Sequence, residues 1–202
     1  MMKYTLACSV ALSLVASASG DILSGDSEFG PDSVTIDTDQ NLMFLDLTVT
    51  EGLSFDQVQA DPTYAGWRHA SFAEVRAMWL SAGLEDWAGS SYSGPGLSNG
   101  PGVSAEVLAL VDLVGGTVVR ATFGPTQYFS AVGMTSDVTL SGNIFATELY
   151  THPLATEYGL VFSFGTDDQS DASGHWLVRN VPAPGSTMLV AMTLLTASRR
   201  RR

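Results

Sequence analysis

The sequence predicts one small α+β domain, residues 19–181, set between two terminal segments that are not part of its fold. Three observations carry this. Cap signals and helical spacing occupy the first half of the core and strand texture the second, as in domains whose helices and strands segregate. The chain has 202 residues, 45% of them hydrophobic, a length and composition that allow one globular domain. No internal repeat is visible.

Ser33 to Asp37 alternates like a short strand, and Leu42 to Thr48 is apolar and strand-like. Between them Asp37, Asp39 and Asn41 have the first three spacings of a calcium loop. Leu42 stands where that loop needs glycine and Thr48 where it needs a bidentate glutamate, so the stretch reads as a turn. Ser54 is placed to cap a short helix through Ala60, which Asp61-Pro62 stops.

Ser71-Phe72-Ala73-Glu74 is a capping box, in which serine hydroxyl and glutamate carboxylate each satisfy an orphan backbone amide. Phe72, Val75, Met78, Trp79 and Ala82 follow at the three-and-four spacing of a buried helical stripe, and Gly83 suits the left-handed end. Gly89 to Gly102 is rich in glycine, serine and proline and reads as a loop. A second long helix is expected from Ser104 to Val114, with Val107, Leu110, Val111 and Val114 inward and Gly115-Gly116 as its stop. Strands are expected at Val118–Phe123, Gln127–Gly133, Ile144–Tyr150, Gly159–Phe164 and Trp176–Arg179.

The ends read as addresses. Lys3, the apolar run Leu6 to Val15 and Ala16-Ser17-Ala18 have the order of a secretory signal over residues 1–18, which would also remove Cys8, the chain's single cysteine. Near the other end, Val181-Pro182-Ala183-Pro184-Gly185 precedes the uncharged stretch Ser186 to Ser198 and then Arg199, Arg200, Arg201 and Arg202. Arginines behind an uncharged segment are held on the cytoplasmic side. Thirteen residues rising ~1.5 Å each cover about 20 Å of a ~30 Å hydrocarbon core, so a transient sorting segment fits better than a permanent span.

Residues 182–202, with Val181 ahead of them, resemble the PEP-CTERM sorting signal of Gram-negative bacteria. Pro182-Ala183-Pro184 stands where its commonest form has Pro-Glu-Pro. The resemblance implies recognition and removal of the tail by a membrane exosortase and delivery of the cargo to the cell surface or exopolysaccharide matrix. Contact with the membrane would then be through the tail alone, before processing.

Between the two ends, residues 19–181 carry all 21 carboxylates and only Arg68, Arg76, Arg120 and Arg179 as cations, a formal charge of −17. Such a surface disfavours nucleic acid, whose phosphates need a basic face. It can attract divalent cations.

A second resemblance, to bacterial C-type-lectin-like domains, rests on three patches. Trp67-Arg68-His69-Ala70-Ser71-Phe72-Ala73-Glu74-Val75 is similar to a Trp-Arg strand end that runs into a capped helix, with Ala70 and Ser71 where that group has proline and threonine. His175-Trp176-Leu177-Val178-Arg179 is similar to its closing strand, and Asn41 to Leu47 to its opening one. The resemblance implies a mixed sheet with two main helices, pairing of first and last strands, and a long loop region that carries binding. A Glu-Pro-Asn sugar-selecting tripeptide is absent from the sequence, so the scaffold alone is carried over.

Candidate chemistry is sparse. Asp167, Asp168 and Asp171 lie close enough in sequence to chelate calcium at about 2.3–2.6 Å, or to form a solvated acidic turn. Gly96-Leu97-Ser98-Asn99-Gly100 has the letters of a nucleophile elbow but is flanked by Gly-Pro and Pro-Gly instead of a strand and a helix. His69, His152 and His175 make no metal-ligand spacing. His69 and His175 read as edge-of-core residues and His152 as a turn residue. Trp87 and Tyr92, at the glycine-rich loop with Asn99, either stack on and orient a sugar or, for Trp87, pack onto the preceding helix. The expectation is an exported, non-catalytic envelope or matrix protein that contacts polysaccharide; an exported hydrolase and a purely structural matrix protein are the alternatives.

Overall fold

The computed structural model describes residues 21–84 and 104–182. It begins with a hairpin of β1 (Ile22–Ser27) and β2 (Gly30–Asp37), of which the alternation predicts only the end of β2. β1 reads Ile-Leu-Ser-Gly-Asp-Ser and has little apolar signal of its own; its ladder to β2 makes it a strand. β3 (Leu42–Leu45) is buried on both faces. The strand predicted through Thr48 ends early because the Asp46 carboxylate accepts from Thr48 N at 2.8 Å and starts a 3-10 turn. The Asp37 to Asn41 turn forms as expected: one Asp37 oxygen accepts from Asp39 N at 2.9 Å and Gln40 N at 3.2 Å, and Asn41 takes φ +53°.

The predicted caps are all present. Ser54 caps α1 (Phe55–Ala60), with Gln57 closing a second capping box. Ser71 and Glu74 cap α2 (Phe72–Ser81), which buries Val75, Met78 and Trp79 and ends before Gly83 at φ +86°. Ser104 caps α3 (Ala105–Val114), which buries Val107, Leu110, Val111 and Val114. Among the described residues, no helix is long and apolar enough to cross a membrane.

The two-residue β4 (Arg68–His69) precedes α2. After α3 the chain forms an antiparallel meander of β5 (Val118–Phe123), β6 (Thr126–Val138), β7 (Ile144–His152) and β8 (Ala155–Phe164). β9 (Gly174–His175) pairs parallel with β6, and β10 (Leu177–Asn180) crosses to the first sheet, whose order is β1-β2-β3-β10-β4. Trp176 is the joint. Its amide donates to Met134 O in one sheet at 3.0 Å, and its carbonyl accepts from Ala70 N beside the other at 2.7 Å.

The core gathers on Trp176, which is fully buried. Phe44 meets it edge-on at 6.4 Å, and α2 and α3 close over the cluster with Val75, Met78, Leu110 and Val114. The indole Nε1 donates to Thr147 Oγ1 at 2.6 Å. The architecture is α+β, as predicted, with β1 and the start of β2 added ahead of the expected elements.

Candidate functional site

Strand register brings remote parts of the sequence side by side. β10 pairs antiparallel with β4, placing Leu177 opposite His69 and Val178 opposite Arg68. It also pairs with β3, Val178 opposite Phe44 and Asn180 opposite Leu42. The three patches of the second resemblance are therefore neighbouring strands, with the opening apolar strand against the closing one.

The arginine and tryptophan side chains of these patches have partners. The Arg179 guanidinium lies over the Trp67 ring, 4.2 Å from its centre, and grips both Glu28 carboxylate oxygens at 2.7 and 2.8 Å. Trp67 Nε1 donates to the same carboxylate at 2.8 Å. Partial burial opposes ionisation of Glu28, but the hydrogen bonds from Arg179 and Trp67 outweigh it and hold its pKa below the usual value. Arg68 makes a forked pair with Glu74 at 2.9 and 2.5 Å. The Arg68 hydrogen bonds, helped by those from Ser71, draw Glu74 down to about 2 against partial burial. Glu74 thus caps α2 and neutralises Arg68 together.

Beside this frame lies a cleft of about 590 Å³, walled by α1, the turn after it, and β4. Phe55, Tyr64 and Trp67 supply its aromatic surface, and Gln59, Asp61, His69 and Ser136 its polar groups. Asp61 is positioned by the turn it caps, accepting from Thr63 N at 2.8 Å. Tyr64 stacks on Phe29 at 5.6 Å and donates to Val49 O at 3.2 Å.

A histidine pair runs inward from the cleft wall. His69 Nε2 lies 3.0 Å from His175 Nδ1, and His175 Nε2 lies 2.9 Å from Leu53 O. His69 stacks on Phe55 with ring centres 3.9 Å apart. Burial, reinforced by the neighbouring imidazole, pushes His69 down to about 3; burial also lowers His175, though its bond to Leu53 O opposes the shift. Both rings are neutral near pH 7.

The edge-of-core reading of these histidines therefore describes where they sit, but not that they pair. They are 106 residues apart. The available signal was position: each adjoins a tryptophan of a patch, and pairing those patches as strands brings both imidazoles to one place. His152 ends β7, where its Nδ1 accepts from Leu154 N at 3.2 Å and closes the predicted turn.

No group of three or more His, Cys, Asp or Glu able to hold a metal forms among the described residues, which include Asp167, Asp168 and Asp171. Asp168 instead accepts from Gly165 N at 2.6 Å in the local turn, and Asp171 faces Glu51, whose pKa is raised by burial and by that neighbouring charge. Val181 donates its amide to Asn41 O at 3.1 Å and packs beside Met43 and Leu45. Trp87, Tyr92, Asn99 and the Gly-x-Ser-x-Gly stretch lie outside the described residues, as do Pro184 and Arg199 to Arg202; Pro182 is the last residue described.

Comparisons with protein families, with curated proteins and with solved structures found no match for this chain.

Proposed function

We propose that this is an exported, non-catalytic protein of the bacterial envelope or exopolysaccharide matrix, and that the cleft between α1 and β4 binds glycan. The observation that carries the reading is the cleft's make-up: aromatic surface from Phe55, Tyr64 and Trp67 beside Gln59, Asp61, His69 and Ser136. Sugars combine apolar faces with rings of hydroxyls, and a concave wall mixing aromatic surface with a few placed polar groups complements both. The β3–β10 pairing and the passage from Trp67-Arg68 into a capped helix support a C-type-lectin-like scaffold. Export by the N-terminal segment and sorting by an exosortase acting on residues 182–202 belong to the same proposal. The excess of carboxylates speaks against nucleic acid as a partner.

A glycan array probed with the purified chain and with Ala65→Trp tests the site. Ala65 is exposed on the cleft wall, so an indole there blocks the space without disturbing the core. Saturable binding by wild type, lost in A65W, is expected. Equal binding by both would move the glycan site elsewhere.

A further inference from the structure

The hydrogen bonds of the histidine pair fix where its protons are. Leu53 O can only accept, so His175 Nε2 carries a hydrogen. A neutral imidazole has one N–H, which leaves His175 Nδ1 bare and makes it the acceptor. His69 Nε2 must therefore donate to it across the 3.0 Å contact. His69 Nδ1 is then bare, and no described residue donates to it. His69 is one of the residues that line the cleft, so the relay ends on a cleft residue with a lone pair at Nδ1.

The charged neighbours decide what can meet that lone pair. Arg68, the cationic residue in the cleft wall, spends both terminal nitrogens on Glu74. Asp61 adds a carboxylate to the same wall, and the whole chain carries a formal charge of −12. An anionic ligand would meet like charge there, with Arg68 already committed. A hydroxyl meets no such penalty, because it donates to a bare nitrogen.

We infer that His69 Nδ1 is the hydrogen-bond acceptor for a ligand hydroxyl, and that the cleft takes neutral, hydroxyl-rich sugars or polyols in preference to uronate or sulfated ones. This rests on the proposed reading of the cleft as a glycan site. His69 is a positioning and specificity residue here: its ring is clamped by Phe55 on one face and tethered by His175 at one nitrogen, so the acceptor points one way without rotamer loss on binding. The depressed pKa of His69, about 3, keeps the acceptor unprotonated throughout the physiological range.

The test is calorimetric titration of the full chain with a panel of neutral hexose tetrasaccharides and with uronate tetrasaccharides of matching linkage. Two substitutions separate the nitrogens. His69→Gln keeps a donor where Nε2 lies and removes the acceptor at Nδ1; His69→Asn puts an amide oxygen near Nδ1 and gives up the tether. Neutral sugars are expected to bind and uronates to bind at least tenfold more weakly. His69→Gln should weaken neutral binding about tenfold, the worth of one well-placed hydrogen bond, while His69→Asn retains more of it. Long-range proton–nitrogen spectra of the wild type give a readout independent of variant folding: the His69 Nδ1 resonance should start in the range of a bare nitrogen and move as a neutral sugar is added. Neutral binding that A65W abolishes but His69→Gln leaves unchanged, or a stationary Nδ1 resonance, overturns the role of His69 and keeps the cleft. Uronates binding as tightly as neutral sugars overturn the preference. No binding to any member of the panel overturns both the inference and the glycan reading.

Discussion

Arg179 and Trp67, 112 positions apart in sequence, are stacked, with the guanidinium carbon 4.2 Å from the indole ring centre and Glu28 hydrogen-bonded to both. The stack joins the last strand, the segment ahead of β4 and the β1–β2 turn. A planar cation suits this place because it can face a ring and fork to a carboxylate together. Arg179→Lys is expected to lose the fork and most of the stacking, costing about 1–2 kcal/mol. Urea unfolding followed by tryptophan fluorescence measures it, and a lysine variant as stable as wild type would show the stack to be incidental.

Glu74 has two tasks, capping α2 and pairing with Arg68. Glu74→Ala is expected to cost about 1–2 kcal/mol, mostly the cap, because the exposed ion pair itself adds little. The pH dependence is fixed in sign. Its pKa is near 2 when folded and 4.5 when free, so its contribution is full above 4.5 and fades as pH falls toward 2. Acid titration of wild type against Glu74→Ala should converge in that window.

The histidine pair acts at higher pH. The unfolded chain takes up protons below about 6.5 that the buried rings reject, His69 down to about 3. Stability from this source is therefore full above pH 6.5 and drains as pH falls toward 3. Replacing His69 with Gln should flatten the stability profile between pH 6.5 and 4. A profile with the wild-type slope would mean that His69 is charged in the folded protein.

Gly133 lies under the central tryptophan: an added Cβ would sit 2.6 Å from Trp176 Nε1 and 2.7 Å from Leu47 Cδ2. Gly133→Ala should displace the indole from Thr147 and cost about 1–3 kcal/mol through overpacking. Thermal unfolding and near-ultraviolet dichroism of Trp176 report it.

Local chemistry was readable where one side chain decides the outcome. Ser54, Ser71 and Ser104 marked three helix starts, and Gly83 and Asp37 a stop and a turn. The edge strand β1 was not readable, since Ser24 and Gly25 carry no strand preference and are held by pairing with β2, and Asp26 sits at a break in the register. The Asp46 turn was missed because a single carboxylate ends a run that is otherwise apolar. At the candidate site, the patches of Trp67 to Glu74 and His175 to Arg179 were legible as pieces. Their contact depends on β10 entering between β3 and β4, a register that no window of sequence contains.

That entry has a consequence for the order of folding. β10 lies inside the first sheet, between β3 and β4, yet comes from Leu177–Asn180, after every other described strand, and the adjoining Trp176 fills the middle of the core. Until those residues arrive, β3 and β4 are open edges and the core lacks Trp176. Closure needs contacts across more than 100 residues of chain, the kind that form slowly. A chain emerging from its N-terminus thus stays unlocked through most of its synthesis, which would suit the proposed export, in which the chain is threaded through a translocation channel before it folds. The strand that locks it ends at Asn180, two residues before the proposed sorting segment begins, so if that segment is an address, the fold closes at nearly the moment the address becomes readable.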